Sequence, residues 1–224
     1  VAKAADTPML AVLQIAPGKS GDLKALIAKG PGGMKETGTR DGATLYADVA
    51  AGTYAEDLDI TKALSLRGPN YGVSANTGTR VAEAVLLPAT GNASSGKLIA
   101  VTASNVTVDG FTMDGDNPAL SGGTAFGGID SNCARALHNQ DSAGTSIHVS
   151  GIDMSHNIVR NFTTTGYYLL KSGTLPNSSG NYVRNNLFQK MRFRAVYTQG
   201  EYDVAITGNV MDQVHVGVAI NSVG

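Results

Sequence analysis

Three phrases of this chain rhyme. NIVRNFTTTGYYLL begins at Asn157, NLFQKMRFRAVYTQG at Asn186 and NVMDQVHVGVAINS at Asn209. Each opens with Asn and two apolar residues: Ile158 and Val159, Leu187 and Phe188, Val210 and Met211. A polar pair leads to Phe162, Met191 or Val214, and a small residue follows, Gly166, Ala195 or Gly217, nine, nine and eight positions after the Asn. The Asn residues lie 29 and 23 positions apart, and the Ser/Gly/Asn-rich stretch SGTLPNSSGN absorbs the difference. Units this short, built of apolar pieces and turns, cannot bury an inward face alone and must stack.

The rest of the chain fits that constraint. ASNVTVDGFTMDG, Ala103 to Gly115, reads as an earlier copy with Asn105 in the repeated Asn position. Before it, LYADVAAGTYAEDLDITKALSLRGPNYG offers short β-branched or Leu-rich pieces cut by Gly and Pro. One helix is expected near the start. Ser20 is its N-cap, Leu23, Leu26 and Ile27 form its apolar stripe, and Gly30 closes it after Lys29. The expected class is all-β: a right-handed parallel β-helix, or solenoid, with a short N-terminal capping helix. Residues 1–43 form the N-terminal segment with that helix, and 44–224 the stacked rungs. Asn157, Asn186 and Asn209 are expected to stack inside turns as an Asn ladder.

Composition narrows the function. A net charge of -1 gives no field to attract nucleic acid. The longest apolar run, Met9 to Ala16, is too short to span a bilayer. The single cysteine, Cys133, excludes an internal disulfide framework; it reads as a small buried hydrophobe, and the four His residues as polar surface.

ADVAAGTYAEDLDITKALSLRGPNYG, from Ala47, resembles the opening coil of bacterial right-handed parallel β-helix proteins. ASNVTVDGFTMDG and the Asn-headed phrases resemble their repeat. The relatives implied are pectate-lyase-like and pectin-methylesterase-like proteins, periplasmic β-helix proteins, phage tailspikes and surface adhesins. That resemblance covers residues 20–224 and implies a fold that hosts both enzymes and binders. It also implies an extracellular, cell-surface or virion-surface location.

Two functions follow as expectations. The first is a structural or binding module, part of a filament, adhesin or tailspike, that holds a polysaccharide. Alternation after the small residue puts Tyr167, Leu169, Val196, Thr198, Val218 and Ile220 inside, and Tyr168 and Tyr197 outside on successive rungs. Exposed aromatic rings stack on sugars, and Arg192, Arg194 and Lys171 could pair with acidic groups. The alternative is a carbohydrate-active enzyme, a lyase, hydrolase or esterase acting on acidic polysaccharide. By the lyase resemblance its participants are Asp109, Asp114, Asp116, Arg160 and Lys171, with Ca²⁺ as the cation that Asp114 and Asp116 would take. GTYAE, Gly52 to Glu56, resembles the first pectin methylesterase signature, but Gln140, Asp141 and Asp203 do not reproduce that family's adjacent catalytic Asp motifs. No other cofactor is expected. Because GVAINSVG follows directly on a strand, a neighbouring subunit or a longer parent chain is expected to cover the last rung.

Overall fold

The computed structural model describes residues 12–15, 46–171, 176–200 and 202–221. Among them every regular element is a β-strand, so no helix there is long and apolar enough to cross a membrane. The expected capping helix, Asp22 to Lys29, lies outside the described residues.

Two parallel sheets carry the fold. The smaller has seven strands in the order β1 (Val12–Ile15), β2 (Tyr46–Val49), β5 (Leu64–Arg67), β8 (Val106–Asp109), β13 (Ile152–Ser155), β16 (Ser178–Arg184) and β18 (Tyr202–Thr207). The larger runs in two arms. One contains β3 (Gly52–Ala55), β6 (Ala84–Leu87), β9 (Thr112–Asp114) and β14 (Ile158–Arg160). The other contains β4 (Leu58–Ile60), β7 (Asn92–Val101), β12 (Cys133–His138) and β15 (Thr165–Leu170). The long strand β17 (Leu187–Gln199) joins the arms, pairing with β14 through Leu187–Gln189 and with β15 through Arg194–Gln199. β19 (Val210–Asn221) pairs along the length of β17. A separate antiparallel hairpin, β10 (Thr124–Phe126) with β11 (Ile129–Ser131), is inserted between β9 and β12. From β2 onward the chain visits the small sheet, the first arm and the second arm in the same order each time.

The residue pattern explains this succession. Strands β2, β8 and β13 alternate part-exposed with buried residues along their length. Their inward side chains join Leu66, Ile99, Phe111, Met113, Phe162 and Phe188 in one buried cluster between the sheets. Corners recur in columns. Gly110, His156, Asn185 and Gly208 all hold positive φ, at 83°, 55°, 56° and 63°, where the small sheet gives way to the first arm. Asn161, Lys190 and Gln213, at 65°, 49° and 55°, do the same between the arms. Left-handed backbone costs an L-residue about 1–2 kcal/mol, least for Asn, so the Asn-rich composition has a backbone reason.

Each repeated Asn stands just after the first corner. Asn157 accepts the backbone N–H of Phe111 at 2.9 Å and donates to the Val108 carbonyl at 2.8 Å. Asn186 accepts from Asn157 N–H at 2.9 Å and donates to Met154 O at 2.8 Å. Asn209 accepts from Asn186 N–H at 2.9 Å and donates to Val183 O at 2.7 Å. The column therefore ties side chain to backbone of the preceding level. One bond in it links two side-chain amides, Asn186 Nδ2 to Asn209 Oδ1 at 3.0 Å. Asn105 does not belong to it. It precedes β8 at a different corner, stacked under Gly151, and Phe111 takes the column position instead.

Val218 and Ile220 also depart from expectation. They pair with Val196 and Thr198, which are buried, yet are themselves 42% and 71% exposed. They sit on the edge strand, with no further described strand beside them.

Candidate functional site

The second arm of the large sheet brings three rings into one column. His138, Tyr168 and Tyr197 are register partners on β12, β15 and β17. The His138 and Tyr168 rings stack at 4.3 Å with their planes 4° apart, and Tyr168 and Tyr197 follow at 4.9 Å, tilted by 36°. Two guanidinium groups flank them: Arg135 lies 5.4 Å from the Tyr168 centroid and Arg194 4.4 Å from that of Tyr197. Tyr167 and Leu169, between them in sequence, are fully buried on the opposite side. The next partner in the column, Ala219, has no ring with which to continue.

Burial sets the electrostatics of this stack. His138 is 1% exposed, and burial, reinforced by Arg135 and Lys97, lowers its pKa to about 3. It is therefore neutral near pH 7. Burial also holds the Arg135 pKa below its usual value, and burial followed by the neighbouring Tyr197 raises that of the Tyr168 phenol. The Tyr197 hydroxyl donates to Gln199 Oε1 at 3.2 Å and accepts from Asn221 Nδ2 at 3.4 Å. The faces of Tyr168 are taken by its two ring neighbours. A ligand here meets ring rims, phenol hydroxyls and guanidinium groups rather than a flat platform spanning both tyrosines. Arg192 is exposed and makes no ring contact among the described residues, whereas Arg194 also covers Phe193 at 3.8 Å.

His138 and Arg135 are the members that sequence reasoning missed. ALH, Ala136 to His138, follows the same small–apolar–outward order as GYY and AVY. The β10–β11 insertion separates it from its own Asn-like corner and hides the rhyme. His138 is not polar surface but a packed ring on a strand.

The enzyme candidates occupy three places. Asp109, at the end of β8, is 5% exposed; it accepts Gly72 N–H at 3.0 Å and pairs with His156 Nδ1 at 3.0 Å. Burial raises its pKa against those bonds. Asp114, Asp116 and Arg160 do come together. Asp114 accepts Arg160 Nε at 2.7 Å, Asn161 Nδ2 at 2.7 Å and Asp116 N–H at 3.0 Å. Burial, then the adjacent Asp114, raises the pKa of Asp116. Lys171 sits beyond β15, its ammonium on Asn177 Oδ1 at 2.9 Å. The Asp114 oxygens thus already receive three N–H donors. Among the described residues no group of three or more His, Cys, Asp or Glu side chains is arranged to hold a metal ion. Cys133 is buried, and its thiol pKa is pushed up to about 12, foremost by burial.

No protein-family model, no curated protein and no solved structure matches the chain.

Proposed function

We propose that the chain is a right-handed parallel β-helix that serves as a structural and binding module of an extracellular or surface assembly, and that it holds a polysaccharide along its second arm. The coiled reading draws support from the constant visiting order of sheet and arms and from the corner columns of positive φ. The right hand follows from the general chirality of parallel crossover connections. The observation that carries the binding reading is the ring column flanked by Arg135 and Arg194. Such a column sets alternating aromatic rims and cations at the inter-strand spacing of about 4.8 Å, a row suited to an extended chain of hydroxylated, acidic units. A non-catalytic role is favoured because Asp109 and Asp114 spend their oxygens on structural N–H donors. The exposed Val210, Val218 and Ile220 of β19 suit cover by a strand from a neighbouring subunit or a longer parent chain.

The test is affinity electrophoresis against acidic and neutral polysaccharides, with ultraviolet detection of unsaturated products in parallel. Retention by an acidic polymer, reduced about fivefold in Tyr197→Ala through loss of about 1 kcal/mol of ring contact, is the expected result. Equal retention of wild type and the Tyr197→Ala, Arg194→Gln double variant would sink the binding reading. Product formation abolished by Arg160→Gln would replace it with the lyase.

A further inference from the structure

Arg135, Thr165 and Arg194 are register partners in turn on β12, β15 and β17. Each precedes a ring of the column, His138, Tyr168 or Tyr197, by two buried residues: Ala136 and Leu137, Gly166 and Tyr167, Ala195 and Val196. The guanidinium groups lean back over the rings. Arg135 reaches past its own strand to lie 5.4 Å from the Tyr168 centroid, while Arg194 lies 4.4 Å from that of Tyr197 on the same strand. Two strands apart in backbone, the cations therefore end beside rings that are neighbours at 4.9 Å. Both counter the rise in the Tyr168 phenol pKa, so both stand near its hydroxyl.

Among the described residues neither guanidinium belongs to an ion pair. The groups that act on Arg135 electrostatically are the Tyr168 phenol and the Cys133 thiol, with no carboxylate among them. Arg135 donates from Nη1 to the Ser95 carbonyl at 3.0 Å, and its Nε is buried without a partner. The Tyr168 hydroxyl makes no hydrogen bond among the described residues, and burial keeps it protonated, hence a donor, at neutral pH. Two part-buried cations and a free phenol donor with no acceptor between them are costly until an anion joins them. A carboxylate is matched by the paired N–H edge of one guanidinium. Here burial closes the Nε edge of Arg135, and Arg194 is spread against Phe193 at 3.8 Å as well as Tyr197. Three donors on three residues suit an anion with three free oxygens.

We propose that the ring column takes its polysaccharide by a tetrahedral ester anion, a sulfate or phosphate monoester, seated between Arg135 and Arg194 with the Tyr168 hydroxyl donating to its third oxygen. Thr165, 1% exposed, lies beneath the seat. This inference rests on the reading of the column as a polysaccharide site and names the acidic group that the column recognises. Sulfate and phosphate esters share the three free oxygens, and the probes distinguish them.

Isothermal titration of the full chain uses a glucose sulfate monoester, a glucose phosphate monoester, glucuronate and glucose. Dextran sulfate, phosphorylated dextran and carboxymethyl dextran of matched charge density follow. One of the two esters should bind about tenfold tighter than glucuronate, with glucose weaker still, and the tighter ester names the source. The dextran that bears it should exceed carboxymethyl dextran by a similar factor. Arg135→Gln and Arg194→Gln should each weaken the ester about tenfold, and Tyr168→Phe, which keeps the ring stack, about fivefold. The last two variants carry the test should Arg135→Gln fail to fold. Arg184→Gln, which removes a positive charge from the small sheet, should stay within about twofold of wild type. Glucuronate bound as tightly as both esters, or ester affinity unchanged in folded Arg194→Gln and Tyr168→Phe proteins, would overturn the proposal. Carboxymethyl dextran bound as well as the ester dextrans would overturn it too, yet leave the polysaccharide reading standing. An ester bound with no polymer retained would uphold the anion seat and sink the polysaccharide reading.

Discussion

Taking the pH from 7 to 5 should remove about 2 kcal/mol of stability at one side chain, His138. Its pKa falls from an ordinary 6.5 to about 3 because burial, Arg135 and Lys97 all oppose its charge. The folded-state value is thus depressed for a base. The unfolded chain takes up a proton as pH drops through 6.5, whereas the folded chain refuses it until pH approaches 3. The His138 contribution is complete above the first value and drains away towards the second. At pH 5 the unfolded state binds nearly one proton more than the folded state, and integrating that difference down from pH 7 gives about 2 kcal/mol. His138→Phe removes the titration while keeping a ring at 4.3 Å stacking distance from Tyr168. Urea denaturation of both proteins at the two pH values isolates the effect. Asp109 and Asp116, whose pKa values burial raises, titrate in both proteins and cancel in the double difference. Wild type should lose about 2 kcal/mol more than the variant. An equal loss in both, or a folded-state His138 titrating near 6.5 by NMR, would refute the reasoning.

Asn186→Ala should destabilise by about 2–3 kcal/mol in urea unfolding, because it strands the buried Asn157 N–H and Met154 carbonyl at once. Gly110→Ala should cost about 1–3 kcal/mol by the same measurement, since φ there is +83° and a Cβ would press on the Asn70 and Tyr71 backbone. Tyr167→Ala should lose about 3–5 kcal/mol as a fully buried ring, and Tyr168→Ala clearly less, because Tyr168 is part-exposed. Equal thermal shifts for the two tyrosines would contradict the assigned faces.

Much of the architecture is legible in the residues. Short β-branched pieces bounded by turn formers dictate strands, and the Asn157, Asn186 and Asn209 column follows from a rhyme that needs one backbone geometry at one corner. The rhyme misleads where another residue meets the same geometry. At Gly110–Phe111 a glycine supplies the positive φ and the Phe111 N–H bonds Asn157, so no Asn marks the corner, and the eye slides to Asn105. His138 was hidden by the inserted hairpin, and Arg135 by its place before the small residue. The acidic candidates scatter because a corner lies between Asp109 and Asp114: residues close in sequence leave on different faces. The segment from Asn70 to Glu83 is the least legible. It crosses successive levels, placing Ala75 N–H on Asn185 O at 3.2 Å and Asn76 Nδ2 on Gly208 O at 2.8 Å, contacts that no local pattern encodes.

The register that aligns His138, Tyr168 and Tyr197 sets the binding surface, because a slip of one residue would turn every side chain to the other face. Ring-labelled His and Tyr in a two-dimensional NOE experiment test it directly. Cross-peaks between the His138 and Tyr168 rings and between the Tyr168 and Tyr197 rings, with the upfield shifts of stacked rings, are the predicted result. Ring cross-peaks from His138 to Tyr167 in place of Tyr168 would contradict the register, and the binding surface built on it.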